Sequence, residues 1–224
     1  MIPIHVMPEM PTQAFLDALQ QQGFAGEIDT SAAQRAVYAT DNSIYERPPQ
    51  AIVCPKHVAD LQVLTRLLAE ERFRGVVVTA RGGGTGTNGQ SLTEGIVVDV
   101  SRHMNHILNI DVAKRQVRVQ AGVVKDQLNR ALKPHGLFFA PELSTSNRAT
   151  IGGMVNTDAS GQGSCTYGKT RDHVLALKTV LWGGEILQSQ ALSEQTWRDD
   201  ITSLSASMQQ RFYALHELVS EHQD

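Results

Sequence analysis

Arg81-Gly82-Gly83-Gly84-Thr85-Gly86-Thr87-Asn88-Gly89-Gln90 sets five glycines into ten residues. Glycines so crowded cost backbone entropy on folding, so the chain keeps them where positive φ or close backbone approach to a partner is needed. An anion suits this composition best. Consecutive N–H groups turned inward form a nest for phosphate oxygens, and the hydroxyls of Thr85 and Thr87 add donors with little bulk. Arg81 offers either a local positive charge or a surface salt bridge. The plain alternative for the whole run is a flexible surface loop.

Outward from the loop the pattern is that of strands. Val76-Val77-Val78 precedes it and Ile96-Val97-Val98-Asp99-Val100 follows it. Further upstream, Ala51-Ile52-Val53-Cys54 and then Val58, Leu61, Leu64 and Leu68 at helical spacing predict strand, helix, strand. Gly84 to Gly89 spells GxGxxG, but the dinucleotide fold that uses it needs a helix to start there, and the six residues Gln90 to Gly95 leave no room for one. A phosphate-binding loop of nucleotide triphosphatases would need Lys where Gln90 stands, so that reading fails too.

Elsewhere, Thr12 as N-cap, Phe15, Leu16 and Leu19 on one face, and Gly23 as a stop predict a helical arm over 1–45. Residues 106–120 read as a hairpin, Val124, Leu128 and Leu132 as a helix, 141–168 as a second loop-rich Gly/Ser/Thr segment, and 174–187 as two strands about Gly183-Gly184. Trp197, Ile201, Leu204, Met208, Phe212, Leu215 and Val219 keep helical spacing to the end.

The chain has 224 residues, 20 basic and 23 acidic, for a formal charge of −3. That balance argues against nucleic acid as a partner, and 41% apolar residues argue for a folded domain. No apolar run approaches the roughly 20 residues that cross a bilayer, and the start lacks signal-peptide blocks, so a cytoplasmic address is expected. Cys54 and Cys165 are expected as buried thiols. The eight histidines form no metal-ligand spacing, and His173, nearest the second loop region, reads as structural.

At this point the residues resemble a known family. Arg-Gly-Gly-Gly-Thr-x-x-x-Gly-Gln at 81–90 is similar to the pyrophosphate loop of the FAD-binding domain in the vanillyl-alcohol oxidase / p-cresol methylhydroxylase superfamily. Pro141-Glu142, Ser144-Thr145, Ala149-Thr150-Ile151-Gly152-Gly153-Met154-Val155-Asn156-Thr157-Asp158-Ala159-Ser160-Gly161 and Tyr167-Gly168 resemble its second flavin-contacting stretch. Within the superfamily the pattern is most similar to FAD-linked dehydrogenases of D-2-hydroxy acids, above all the very long bacterial members that also carry an iron–sulfur module.

The resemblance implies an α+β, two-subdomain FAD-binding fold over 46–190, with halves of about 46–118 and 119–190, the arm before it and an amphipathic helix in 191–224 after it. It implies that Arg81, Gly82, Gly83, Gly84, Thr85, Gly86, Thr87, Asn88 and Gly89 hold the pyrophosphate. Pro141, Glu142, Ser144, Thr145, Thr150, Gly152, Gly153, Asn156, Ser160 and Gly161 would line the rest of the cofactor, with Ile186 packing on it. The first loop offers no histidine for a covalent flavin bond, so the FAD is expected to be noncovalent. The substrate-binding and base residues are expected in a cap domain beyond residue 224, so no catalytic residue is assigned. The function implied is oxidation of a 2-hydroxy acid by hydride transfer to flavin. Two rivals share the fold: a non-catalytic FAD-carrying subunit and an enolpyruvyl sugar-nucleotide reductase.

Overall fold

Strands that are apolar on both faces need cover on both faces, the condition of a parallel sheet. All four residues of β2 (Ala51–Cys54) and of β4 (Ile96–Asp99) are buried, and the two pair in parallel, Ala51 opposite Ile96 and Val53 opposite Val98. In the computed structural model, which describes residues 12–191, 193, 195 and 201–222, β3 (Val78–Arg81) lies parallel on the other side of β4. β1 (Glu27–Asp29) runs antiparallel to β2, giving the order β1-β2-β4-β3. The expected strand at 76–78 thus starts at Val78 and carries on to Arg81. β3 and β4 are parallel neighbours joined by 82–95 without a helix: the connection is long enough for the crossover, and irregular backbone makes it.

The segment expected as a helical arm is built into this layer. α1 (Thr12–Gln21) buries Phe15, Leu16 and Leu19 in one core with Leu64, Leu67 and Leu68 of α3 (Val58–Leu68) and with Ala51, Val53 and Ile96. Gly23, at φ +81°, ends α1. The buried Asp60 fastens the layer: Oδ1 accepts from Ala25 N–H at 2.8 Å, and Oδ2 from Lys56 and His57 N–H at 2.7 and 2.9 Å. α2 (Ala32–Tyr38) follows β1, with Ser31 as its N-cap.

A second body begins with the hairpin β5 (Ile107–Asp111) and β6 (Gln116–Val119), whose apolar face packs on Val123, Leu128 and Leu132 of α4 (Lys125–Leu132) and its approach. The region expected to be loop-rich contains two short helices, α5 (Ile151–Thr157) and α6 (Ser164–Tyr167). Thr150 starts α5 because its Oγ1 accepts from Gly153 N–H at 3.3 Å, satisfying an end donor that the helix itself cannot. β7 (Ala176–Val180) and β8 (Ile186–Gln190) form a two-stranded sheet. Gly183 and Gly184 between them take φ of +88° and +84°, as a tight turn demands.

Of the described residues, 12–174 with 178–187 form one compact unit, and 175–177 with those from 188 to 222 form another. The second holds α7 (Ala206–Glu221), of which Met208 is buried while Tyr213, Leu215, Leu218 and Val219 are exposed. Trp197 of the predicted stripe lies outside the described residues. Among the described residues no helix is long and apolar enough to cross a membrane.

Candidate cofactor site

β3 and β4 end side by side, with Arg81 opposite Asp99, and the last residue of α2 lies beside both. Tyr38 Oη donates to Asp99 Oδ2 at 2.5 Å, while Asp99 Oδ1 accepts from Ser101 N–H and Oγ–H, both at 2.7 Å. Burial, and then the Asp99 carboxylate, push the Tyr38 hydroxyl far above its ordinary pKa, so it remains a donor. Arg81 donates to the Tyr38 and Thr40 carbonyls at 3.2 and 2.8 Å, and its guanidinium lies over the Tyr38 ring. Neither sequence reading of Arg81 foresaw this. The side chain forms no salt bridge among the described residues and is instead held by carbonyl oxygens.

Two glycines of the loop serve close approach. A Cβ on Gly82 would run into the Thr150 hydroxyl, and one on Gly83 into the Arg148 carbonyl. The absence of both side chains lets the first loop sit directly on the second motif. Gly84, at φ +61°, accepts from Asn42 N–H through its carbonyl at 3.0 Å. Asp41 braces the far end, accepting from Ser43 N–H at 2.8 Å and Ser91 Oγ–H at 2.9 Å. Burial works against its charge, yet these bonds and the Arg81 guanidinium hold its carboxyl below the ordinary range. With both ends fixed, the N–H groups from Gly82 to Thr87 find no acceptor among the described residues; Asn88 N–H turns back to Gln90 Oε1 at 3.0 Å.

From the other side, Ile151 and Gly152 N–H donate to the carbonyls of Val123 and Ala121, both at 2.8 Å, and Lys125 N–H donates to Ala149 at 3.0 Å. These bonds tie the second motif to the hairpin body. The result is a cleft of about 470 Å³ between the sheet layer and that body, with Tyr38, Arg81, Gly82, Gly83 and Asp99 on one wall and Gly122, Gln127, Arg148 and Thr150 on the other. Of the residues named from sequence, Arg81, Gly82, Gly83 and Thr150 line it.

The remaining sequence candidates do not line the cleft. Gly161 is pressed against the Glu142 carbonyl, and Thr145 accepts from Arg148 and Ala149 N–H at 2.9 and 2.8 Å. Pro141 is buried, while Ser144, Asn156 and Ser160 are exposed. Ile186 heads β8, whose turn is pinned to α3 by Gln62 Nε2–H donating to the Gly184 carbonyl at 2.8 Å and by Gly183 N–H donating to Thr65 at 3.2 Å.

His173 sets Nε2 at 2.7 Å from the Tyr167 carbonyl and packs edge-on against Phe139, a bracing contact. Cys54 is buried, its thiol pushed up to about 11 by burial and then by Asp99; Cys165, expected as buried, is exposed because α6 lies at the surface. Among the described residues no group of three His, Cys, Asp or Glu gathers as a metal-ligand set. Sequence reasoning missed Tyr38, Asp99, Gln127 and Arg148. Asp99 alone left a signal, a carboxylate closing a buried apolar strand.

The unpaired amides, the approach that only glycine permits and the nearby guanidinium groups together fit a dinucleotide's diphosphate. Residues 49–190 match the family described as FAD binding domain. The chain belongs to that family. It has the p-cresol methylhydroxylase-type α+β fold of this FAD-binding domain, and FAD is its cofactor. The Physcomitrella patens BBE-like 1 structure superposes with TM-score 0.69 at 21% identity, over 81% of this chain and 38% of that one.

Among curated relatives, the D-2-hydroxyglutarate dehydrogenase of Pseudomonas putida is 66% identical over 189 residues, which are 84% of this chain and 19% of the relative. That of Haemophilus influenzae is 56% identical over 93% of this chain and 20% of the relative. The chain thus spans about a fifth of the length of these relatives.

Proposed function

We propose that this chain is the FAD-binding module of a flavin-dependent dehydrogenase that oxidises a D-2-hydroxy acid, D-2-hydroxyglutarate foremost. The observation that supports the cofactor's placement is the run of N–H groups from Gly82 to Thr87, held at both ends and without acceptors among the described residues, whose first two residues line a cleft that Thr150 and Arg148 line as well. Sequence kinship to D-2-hydroxyglutarate dehydrogenases supports the substrate class.

Bound FAD supplies a hydride acceptor at its flavin N5. The chain's own residues bind and orient. The glycine-loop amides and the Thr85 and Thr87 hydroxyls would hold the diphosphate, with Gly153 in the helix beside them; the missing side chain of Gly152 seats the second motif on Ala121, and Asp99 with Tyr38 fixes the strand ends that aim the loop. The cofactor domain runs over about 46–190, its halves meeting near 118–119. The FAD would be held without a covalent bond. The base that takes the hydroxyl proton and the cations that hold the substrate carboxylate are assigned to the longer part of the relatives, a cap domain, with an iron–sulfur module as the route for electrons.

The test is direct. The purified chain should be yellow after incubation with FAD and should release intact FAD, with none left bonded to protein, on denaturation. A chain that stays colourless in excess FAD overturns the cofactor placement. D-2-hydroxyglutarate should bleach the colour only when the module is joined to the rest of a full-length relative; bleaching by NADPH instead would overturn the dehydrogenase reading.

A further inference from the structure

The charged side chains of the cleft are Arg81, Asp99 and Arg148. Two of them are already committed. Arg81 is spent on the carbonyls of Tyr38 and Thr40, and Asp99 has both oxygens occupied by Tyr38 and Ser101. Arg148 makes no side-chain hydrogen bond or ion pair among the described residues. Its backbone is nonetheless fixed, with N–H donated to Thr145 at 2.9 Å and the carbonyl seated where Gly83 has no side chain. The cleft's formal charge is two arginines less one aspartate, or +1; the Arg81 guanidinium is held by two carbonyls and acts on Asp41, which leaves Arg148 as the charge in the cleft without a side-chain partner among the described residues.

We infer that Arg148 is the electrostatic ligand of the cofactor's diphosphate, closing from the second motif the anion site that the glycine loop opens. This rests on the FAD reading above and extends it to a residue that the sequence pattern did not single out. Backbone amides bring dipoles without net charge, so a loop of amides alone leaves a doubly charged diphosphate largely unneutralised. A guanidinium supplies full charge and a planar pair of donors matched to phosphate oxygens. Arg148 is held at its backbone next to the loop while its exposed side chain has no protein partner among the described residues, so the guanidinium can turn to a phosphate at the cost of ordering one side chain.

FAD and ADP are titrated into the chain freed of flavin, at several salt concentrations, with flavin fluorescence for FAD and calorimetry for ADP. Arg148→Gln should weaken both ligands about tenfold or more, as loss of a charge-assisted hydrogen bond does. It should also flatten the salt dependence of binding, because less charge is left to screen. Arg130→Gln, which removes an exposed positive charge from α4, should change neither.

Equal affinity and equal salt dependence in wild type and Arg148→Gln would overturn the assignment. If the glutamine variant does not fold, Arg148→Lys decides. Severalfold weaker binding with the salt dependence retained supports the ligand role, and wild-type affinity overturns it. A wild-type chain that binds neither FAD nor ADP overturns the cofactor placement itself, a different failure from that of Arg148.

Discussion

Gly83 and Gly86 stand three residues apart and do different work. A side chain at Gly83 meets the Arg148 carbonyl, which cannot swing aside, so Gly83→Ala should force the two motifs apart and cost about 1–3 kcal/mol. A side chain at Gly86 meets only the flexible end of Gln90. Gly86→Asp should therefore fold normally while setting a carboxylate among the phosphate oxygens, and weaken FAD by about a hundredfold, since like charges face to face cost several kcal/mol. Urea unfolding and FAD titration on both variants separate the roles; FAD retention unchanged in Gly86→Asp would put the diphosphate elsewhere.

Tyr38 gives a pH signature. Its folded-state pKa lies above the ordinary value of 10, so above that pH the unfolded chain gives up the proton while the folded chain keeps it. The unfolded state gains, and stability falls as pH rises past 10, with the full contribution present below it. Tyr38→Phe should lower stability near neutrality by about 1–3 kcal/mol, because Asp99 loses a donor while remaining buried. It should also show a shallower alkaline decline, retaining the part from Cys54 that begins near 9. Urea midpoints from pH 8 to 11 report both; parallel curves for wild type and variant would refute the coupling.

At the scale of elements, what could be read from sequence was whatever a local pattern dictates. The runs at 51–54 and 96–99, the leucine spacing of α3, the hairpin about 107–119 and the Gly183-Gly184 turn all follow from periodicity or turn chemistry. The glycine loop was legible for the same reason, since the missing space for a helix excluded the better-known nucleotide motifs. What stayed hidden depends on contacts distant in sequence. β1 is three residues long and becomes a strand only by pairing with β2. α5 begins in Ile-Gly-Gly, poor helix formers, and is held by its Thr150 cap and by the bonds to Ala121 and Val123. Tyr38, Asp99 and Arg148 belong to the site through the crossing of chain segments, and no spacing announces that. Arg81 shows the reverse case: its presence was legible and its partners, two carbonyls in the segment after β1, were not.

At the scale of the molecule, the cleft has one wall in the sheet layer and the other in the hairpin body, so a ligand there adds a link to those made by the packing of Gly82 and Gly83 on Arg148 and Thr150 and of Gly122 on Val100 and Met104. FAD that binds only the folded chain should stabilise it by about 2.7 kcal/mol at a hundredfold excess over Kd. For a body of this size that is roughly a 5–10 °C rise in Tm. Because both walls hold one ligand, amide hydrogen exchange should slow together in 82–90 and in 148–157, with the same midpoint in FAD concentration. Protection of the glycine loop alone would mean that the second motif does not face the cofactor, and protection of 148–157 alone would place the diphosphate outside the loop. Joint protection with a common midpoint is the outcome expected of one dinucleotide spanning both walls.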